Sequence, residues 1–368
     1  MTFGRRVFLL VLAAVAGAYG IFRSRHPIKV FLTGADTVAE PPGGRDVPRP
    51  SGKFPVAAVG GRDVKEMTRR AVALIGGFGP LAVDSRTVLV KPNVVGEKSN
   101  PSTTSPVVVR AVVELLYEAG AAKVYVGDMS ALIRGSTARN MELTGIAAAA
   151  REAGAETVYF EDHGWVRVRV GGRYLQEVDV TEWFFNVDRV VNVPVIKTHR
   201  YAGYSICLKN FVGATHFSQR PYLVDSNHWE EVVAELNLAF RPDLNIIDGT
   251  KTMVAGGPWE GRAVATNLVL AGVDRLACDA VGLGIIQSFG QWKPLEGISP
   301  WQMRQLKRAV ELDLGAAGGE EVDLLIESLD RDPEFIALME QAASRIGSAG
   351  GKSGGGPVTA KGQGQAKI

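Results

Sequence analysis

Two lysines, a histidine and an asparagine follow a single apolar run in this chain. Val190 to Ile196 leads into Lys197-Thr198-His199, and Leu208-Lys209-Asn210 comes shortly after. Polar side chains released at the end of a buried strand face a crevice, and in open α/β sheets ligands bind outside the carboxyl ends of the strands. A lysine placed there must reach water or meet an anion. Lys91, Lys197 and Lys209 gathered at one edge would make a positive pocket matched to a carboxylate or a phosphate. His199 ordinarily titrates near neutral pH, which assigns it general acid or base work, with Lys197, Lys209 and Asp128 as catalytic companions. Lys91, Asn93, Thr103, Thr104 and Asn210 are then the candidate substrate-binding residues.

Further strand ends deliver acids: Asp128, Asp248, and Asp274 just beyond a strand. In a parallel sheet all such ends share one edge, so these groups are expected to converge with the lysines. Each acid also fits a plainer role, because Asp after a strand often bonds the next backbone amides. Gly256 and Gly257 belong to a glycine-rich stretch after Asp248 that would let backbone amides approach an anion, as phosphate loops do. The same stretch reads equally as a long surface turn, and it lacks the Walker ending.

Asp248 and His228 are the candidate ligands for a divalent metal. The spacing of His199, His216 and His228 matches no standard ligand pair, so a histidine that is catalytic or merely packed stands beside the metal reading. Cys207, between Lys197 and Lys209, reads either as a stabilised thiolate or as a small buried hydrophobe. Two cysteines, Cys207 and Cys278, cannot supply the four ligands of a structural zinc or an iron–sulfur cluster. Absence of G-x-S-x-G, and of G-x-G-x-x-G directly after a strand, argues against a standard hydrolase or dinucleotide binder.

The elements that must position these groups alternate. Val56 to Val59, Thr87 to Val90, Lys123 to Gly127, Thr157 to Phe160, Val187 to Val195, Leu244 to Asp248 and Asn267 to Ala271 read as strands. Val64 to Gly76, a helix capped by Ser105-Pro106 and running to Glu118, Gly145 to Glu152, His228 to Ala239, Arg275 to Ser288 and Pro300 to Leu312 read as helices. A β-like patch lies around Val166 to Tyr174. This order predicts an α/β fold, a mostly parallel twisted sheet with helices on both faces.

With 368 residues, 46% hydrophobic and 22% charged, the chain can build a well-buried core. Its 41 basic and 39 acidic residues are well mixed and leave a formal charge of +2, which is no footprint for nucleic acid. Residues 1–25 read as a signal peptide or signal anchor: Arg5-Arg6-Val7-Phe8-Leu9 resembles a twin-arginine signal, and the apolar run 7–22 could keep the chain on the cytoplasmic membrane. Residues 26–54 are a Pro/Gly-rich linker, 55–346 the α/β domain, and 347–368 a disordered tail rich in Gly, Ser, Lys and Gln. The folded body is thus expected outside the cytoplasmic membrane, periplasmic or otherwise extracytoplasmic.

Lys91-Pro92-Asn93, Thr103-Thr104-Ser105-Pro106, Gly127-Asp128, Lys197-Thr198-His199, Leu208-Lys209-Asn210, and Asp248-Gly249 followed by Gly257-Pro258-x-x-Gly261 occur in this order. In these motifs, over roughly Pro55 to Ser288, the chain resembles the domain of unknown function family 362. The resemblance implies an α/β domain, frequently exported with a twin-arginine signal and often fused to a ferredoxin-like module with two iron–sulfur clusters. This chain departs from that arrangement because it has no cysteine-rich module. It also carries Ser105 where many members have His, so a shared histidine role does not transfer to that position. The family label implies no reaction.

The first expectation is therefore an extracytoplasmic enzyme acting on a small anionic substrate, with metal assistance left open. A non-catalytic anion-binding protein and a redox accessory protein with a redox partner are the alternatives.

Overall fold

Alternation along the strands sorts the core into two layers. Val56, Ala58, Leu89, Val190 and Ile247 join one apolar cluster, while Ala57, Val59, Val88, Val191 and Ile246 join the other. Successive strand residues point to opposite faces, so a sheet buried on both sides must carry apolar residues at nearly every position. Phe54–Gly60 is buried along its whole length in this way.

The computed structural model describes residues 34–35, 37–42 and 51–347. The expected signal or anchor over 1–25 lies outside the described residues, as do the expected 347–368 tail beyond Gly347 and much of the linker. One described piece of that linker is regular: Thr37–Ala39 (β1) pairs in parallel with Trp165–Arg169 (β6), which pairs in turn with Glu177–Thr181 (β7). The proline and glycine density behind it hid the short β-branched stretch that makes this edge strand.

The main sheet holds Phe54–Gly60 (β2), Thr87–Pro92 (β3), Lys123–Asp128 (β4), Glu156–Tyr159 (β5), Arg189–Val193 (β8), Leu244–Gly256 (β11), Gly261–Gly272 (β12) and Val322–Ser328 (β13) in the order β13-β2-β12-β11-β8-β3-β4-β5. Val195–His199 (β9) adds to β11 and carries Gly203–Ser205 (β10) on its other side. Every neighbouring pair along the main path is parallel except the two made by β12.

Ten α-helices complete the described residues: Val64–Leu74 (α1), Pro106–Glu118 (α2), Thr137–Leu143 (α3), Ile146–Glu152 (α4), Cys207–Asn210 (α5), Pro221–Val224 (α6), Trp229–Leu236 (α7), Arg275–Ser288 (α8), Arg304–Glu311 (α9) and Pro333–Ile346 (α10). Buried residues of α1, α2 and α4 belong to one cluster and those of α7 to α10 to the other, so helices cover both faces as expected. Strand, helix and parallel strand follow each other through β3, α2 and β4. This is the crossover that a parallel pair requires.

Two strands differ from their sequence-based bounds in ways that matter for the site. The run 187–195 is split at Pro194 into β8 and β9, because proline has no N–H for the ladder. β11 does not stop at Asp248 but runs to Gly256, with register shifts between Gly249 and Lys251 and between Met253 and Ala255. The glycine-rich stretch is therefore the far half of a long hairpin with β12 rather than a loop. Both extensions carry the chain past the carboxyl edge of the sheet and build a wall there.

Candidate functional site

Neighbouring strands bring the first pair together. β3 and β4 pair in register, Val90 with Val126, and their next polar residues are Lys91 and Asp128. Lys91 Nζ donates to Asp128 Oδ1 at 2.6 Å, and the backbone N–H of Val94 donates to Asp128 Oδ2 at 2.6 Å. Both side chains are sealed from solvent. Asp128, expected among the catalytic residues, accepts on both oxygens and so fixes Lys91 and the turn after β3. A Cβ at Gly213 would overlap Asp128 Oδ1 and lie 2.9 Å from Lys91 Nζ. Only a glycine lets the segment after α5 close over this ion pair.

Lys197 is the second buried lysine, 1% exposed at the middle of β9. Its Nζ donates to Asn93 Oδ1 and, at 2.6 Å, to the backbone carbonyl of Ser102. Both acceptors are neutral. Burial, then the nearby charge of Lys209, pushes Lys197 well below the ordinary lysine range, with Asp128 pulling the other way and Lys91 adding a smaller push down.

Lys209 stands on α5 and is half-buried. It has no carboxylate partner among the described residues. Burial lowers it from 10.5 to about 7, helped by the Arg220 guanidinium and by Lys91. α5 is held onto the sheet by a chain of buried amides. Asn210 Nδ2 donates to Asn192 Oδ1 at 2.7 Å, and Asn192 Nδ2 to Asn245 Oδ1 at 3.0 Å. Asn210 also reaches the carbonyls of Lys91 and Pro92, at 3.2 and 3.4 Å. These bonds place Lys209 over the ends of β3 and β8.

His199 ends β9 and is 5% exposed. Its Nδ1 accepts from the backbone N–H groups of Tyr201 and Ala202, at 3.2 and 3.1 Å. An accepting Nδ1 leaves the ring proton on Nε2. Burial first, then Lys209 and Lys197, hold His199 well below the usual imidazole range. It is a neutral hydrogen-bond donor across the physiological range rather than the titrating group expected from its type.

Arg220 was not singled out in the sequence, and it completes the cationic group. It is 6% exposed and donates to the carbonyls of Thr215 at 3.1 Å and Met129 at 3.4 Å. Its charge lowers both Lys91 and Lys209. Arg220 lies in a connection without periodicity; the one local signal was a guanidinium immediately before the proline that opens α6.

The remaining expected residues are placed as follows. Thr104 Oγ1 donates to the Val193 carbonyl at 2.8 Å and accepts from Asn93 N–H at 2.8 Å, and Thr103 Oγ1 faces the Gly96 carbonyl at 3.4 Å. Both are fully buried; Thr104 ties the loop after β3 to β8, and Thr103 braces that loop internally. Gly256 and Gly257 sit at the hairpin tip with φ of 85° and 80°, and the Gly257 carbonyl accepts from Arg200 Nε at 3.0 Å. Gly257 packs against the Thr198 carbonyl, so the tip folds over the end of β9.

The structure does not gather Asp248 and His228 with a third ligand: among the described residues no group of three His, Cys, Asp or Glu could hold a metal. Asp248 accepts from Asn100 Nδ2 (2.8 Å), the Ser105 N–H (2.7 Å), and the Thr250 N–H and hydroxyl (3.0 and 2.6 Å). His228 Nδ1 lies 2.7 Å from Asp225 Oδ2, and its ring stacks on Tyr174.

Asp274 requires a correction. β12 runs against its neighbours, so the residue after it emerges at the opposite edge, where Asp274 caps α8 by accepting from Ala277 N–H at 2.7 Å. It lines a separate cavity of about 770 Å³ at that amino edge, with Arg189, Arg241 and Asp243 among its neighbours. Strand direction is set by pairing, which the local sequence does not carry. Cys207 and Cys278 are both free and buried, and burial is the first cause that raises the Cys207 thiol well above its ordinary range. It is a packed hydrophobe, not an activated thiolate.

The model of a family described as a domain of unknown function, DUF362, matches residues 88–284. This chain belongs to that family. The DUF362 span runs from β3 to α8 and contains every side chain of the carboxyl-edge group, Arg220 and Gly213 included. A thylakoid-associated protein from a Synechocystis species is 28% identical to this chain over 226 residues, covering 58% of this chain and 67% of that protein. Among solved structures, the lactate racemase apoprotein from Thermoanaerobacterium thermosaccharolyticum aligns with 79% of this chain and 88% of its own, at 10% identity and a TM-score of 0.34.

Proposed function

We propose that the carboxyl-edge site binds a small anion, a carboxylate or a phosphate, and that the protein acts on it as an enzyme, with Lys209 taking up or releasing the proton. The observation that carries this reading is Lys209 itself. It is half-buried, has no carboxylate partner among the described residues, and stands beside Lys91, Lys197 and Arg220. An anion arriving there meets cations already fixed in place, so little reorganisation is needed on binding. A lysine held at about 7 offers both protonation states near neutral pH, as acid–base work requires.

In this reading His199 donates its Nε2 proton to the bound anion as a neutral group. Lys91 and Asp128 act from behind, fixing the ends of β3 and β4. An extracytoplasmic, membrane-near location goes with it, supported by the apolar run 7–22 and by the thylakoid association of the Synechocystis relative. No helix among the described residues is long and apolar enough to cross a membrane.

Calorimetric titration with phosphate and with acetate at pH 6, on the unchanged protein and on Lys209→Met, tests the reading. Binding that is lost in the variant is expected. Failure of both anions to bind the unchanged protein contradicts it.

A further inference from the structure

A surface of rings adjoins the cationic group. The rings of Tyr201 and Trp229 are nearly parallel, at 17° with centroids 6.0 Å apart, and Tyr222 lies 5.5 Å from Trp229. Two of these rings reach water, Tyr201 at 55% exposure and Tyr222 at 37%, with the adjacent Leu223 at 48%, while Trp229 is half-buried. Exposed apolar side chains scattered singly need no explanation, but a contiguous set at the rim of a polar site marks a contact surface.

Two junctions join this surface to the cations. His199 has its ring centroid 6.1 Å from both Tyr201 and Trp229. Tyr222 follows Arg220 by two residues across the start of α6, close enough for the guanidinium to act on its hydroxyl. The rings thus adjoin the charges through His199 and Arg220.

We propose that the ligand of this site is an anion carrying a flat ring, with the ring seated on Tyr201, Trp229 and Tyr222 and the anionic group beside Lys209. This rests on the anion-binding reading above. Near-parallel aromatic faces favour a planar partner, because ring pairs gain most when offset-stacked or edge-on at centroid separations of about 4.5–7 Å.

The test compares matched anions on the full chain: phenyl phosphate against methyl phosphate, and phenylacetate against acetate, read by calorimetry and by quenching of tryptophan emission. The aryl member of each pair is expected to bind roughly tenfold tighter or more. Tyr201→Ala with Tyr222→Ala brings that ratio toward one while the small anions still bind, and Tyr201→Phe keeps it. A ratio near one in the unchanged protein overturns the inference and leaves the anion site standing. A preference that survives the double variant overturns it as well. If neither member of either pair binds, the anion site and the ring surface fall together.

Discussion

Lys91 and Asp128 form an ion pair of 2.6 Å with both side chains closed to solvent, at the ends of adjacent parallel strands. Removing one partner of such a pair leaves an uncompensated buried charge, at a cost of about 3–5 kcal/mol. Asp128→Ala is expected to lose stability of that order in denaturant unfolding, and to lose it without any ligand present. A variant within about 0.5 kcal/mol of the unchanged protein would mean that the pair does not anchor the site.

Gly213→Ala addresses the same contact from the other side. Its Cβ would overlap Asp128 Oδ1, and the ion pair cannot move away because Val94 and Pro92 also hold it. Overpacking of this kind costs about 1–3 kcal/mol. The thermal midpoint should fall accordingly, whereas an unchanged midpoint would show that α5 can lift off the pair.

Stability should depend on pH through Lys209. Its folded value of about 7 lies below the 10.5 it returns to on unfolding, so between these limits the unfolded chain binds more protons and stability rises with pH. Lys209→Met removes the cost of holding that charge. The variant is expected to be more stable than the parent below about pH 7, with the gain fading toward pH 10.5. A gain independent of pH, or a loss at pH 6, would contradict the assignment.

Arg220→Met should weaken phosphate binding by about tenfold or more, since a hydrogen bond to a charged group is worth roughly 1.5–3 kcal/mol. The effect should be largest at low ionic strength. Unchanged phosphate affinity would remove Arg220 from the anion site.

Much of this arrangement was legible in the sequence because it rests on local signals. Apolar runs ending in Lys91 and Lys197 gave the strands, Ser105-Pro106 gave the start of α2, and α8 has the bounds its pattern predicts. What depends on pairing was not legible. The reversal of β12 moved Asp274 to the far edge, and the extension of β11 into a long hairpin put Gly256 and Gly257 at its tip. The lowered values of His199 and Lys209 were also hidden, because they follow from burial and neighbouring cations rather than from residue type.

The two cysteines should be silent in the folded protein. Both are free and fully buried, so a thiol reagent is expected to react with neither in native buffer and with both in denaturant. Rapid native labelling of Cys207 would contradict this and restore it as a candidate nucleophile.

The most direct measurement is the titration of Lys209 itself, followed by NMR with labelled lysine side chains and assigned by comparison with Lys209→Met. The expected result is a midpoint of about 7 in the free protein that moves up when phosphate is added, because a bound anion favours the protonated amine. A midpoint near 10.5 that phosphate does not move would contradict both the buried cationic group and the anion it is built to hold.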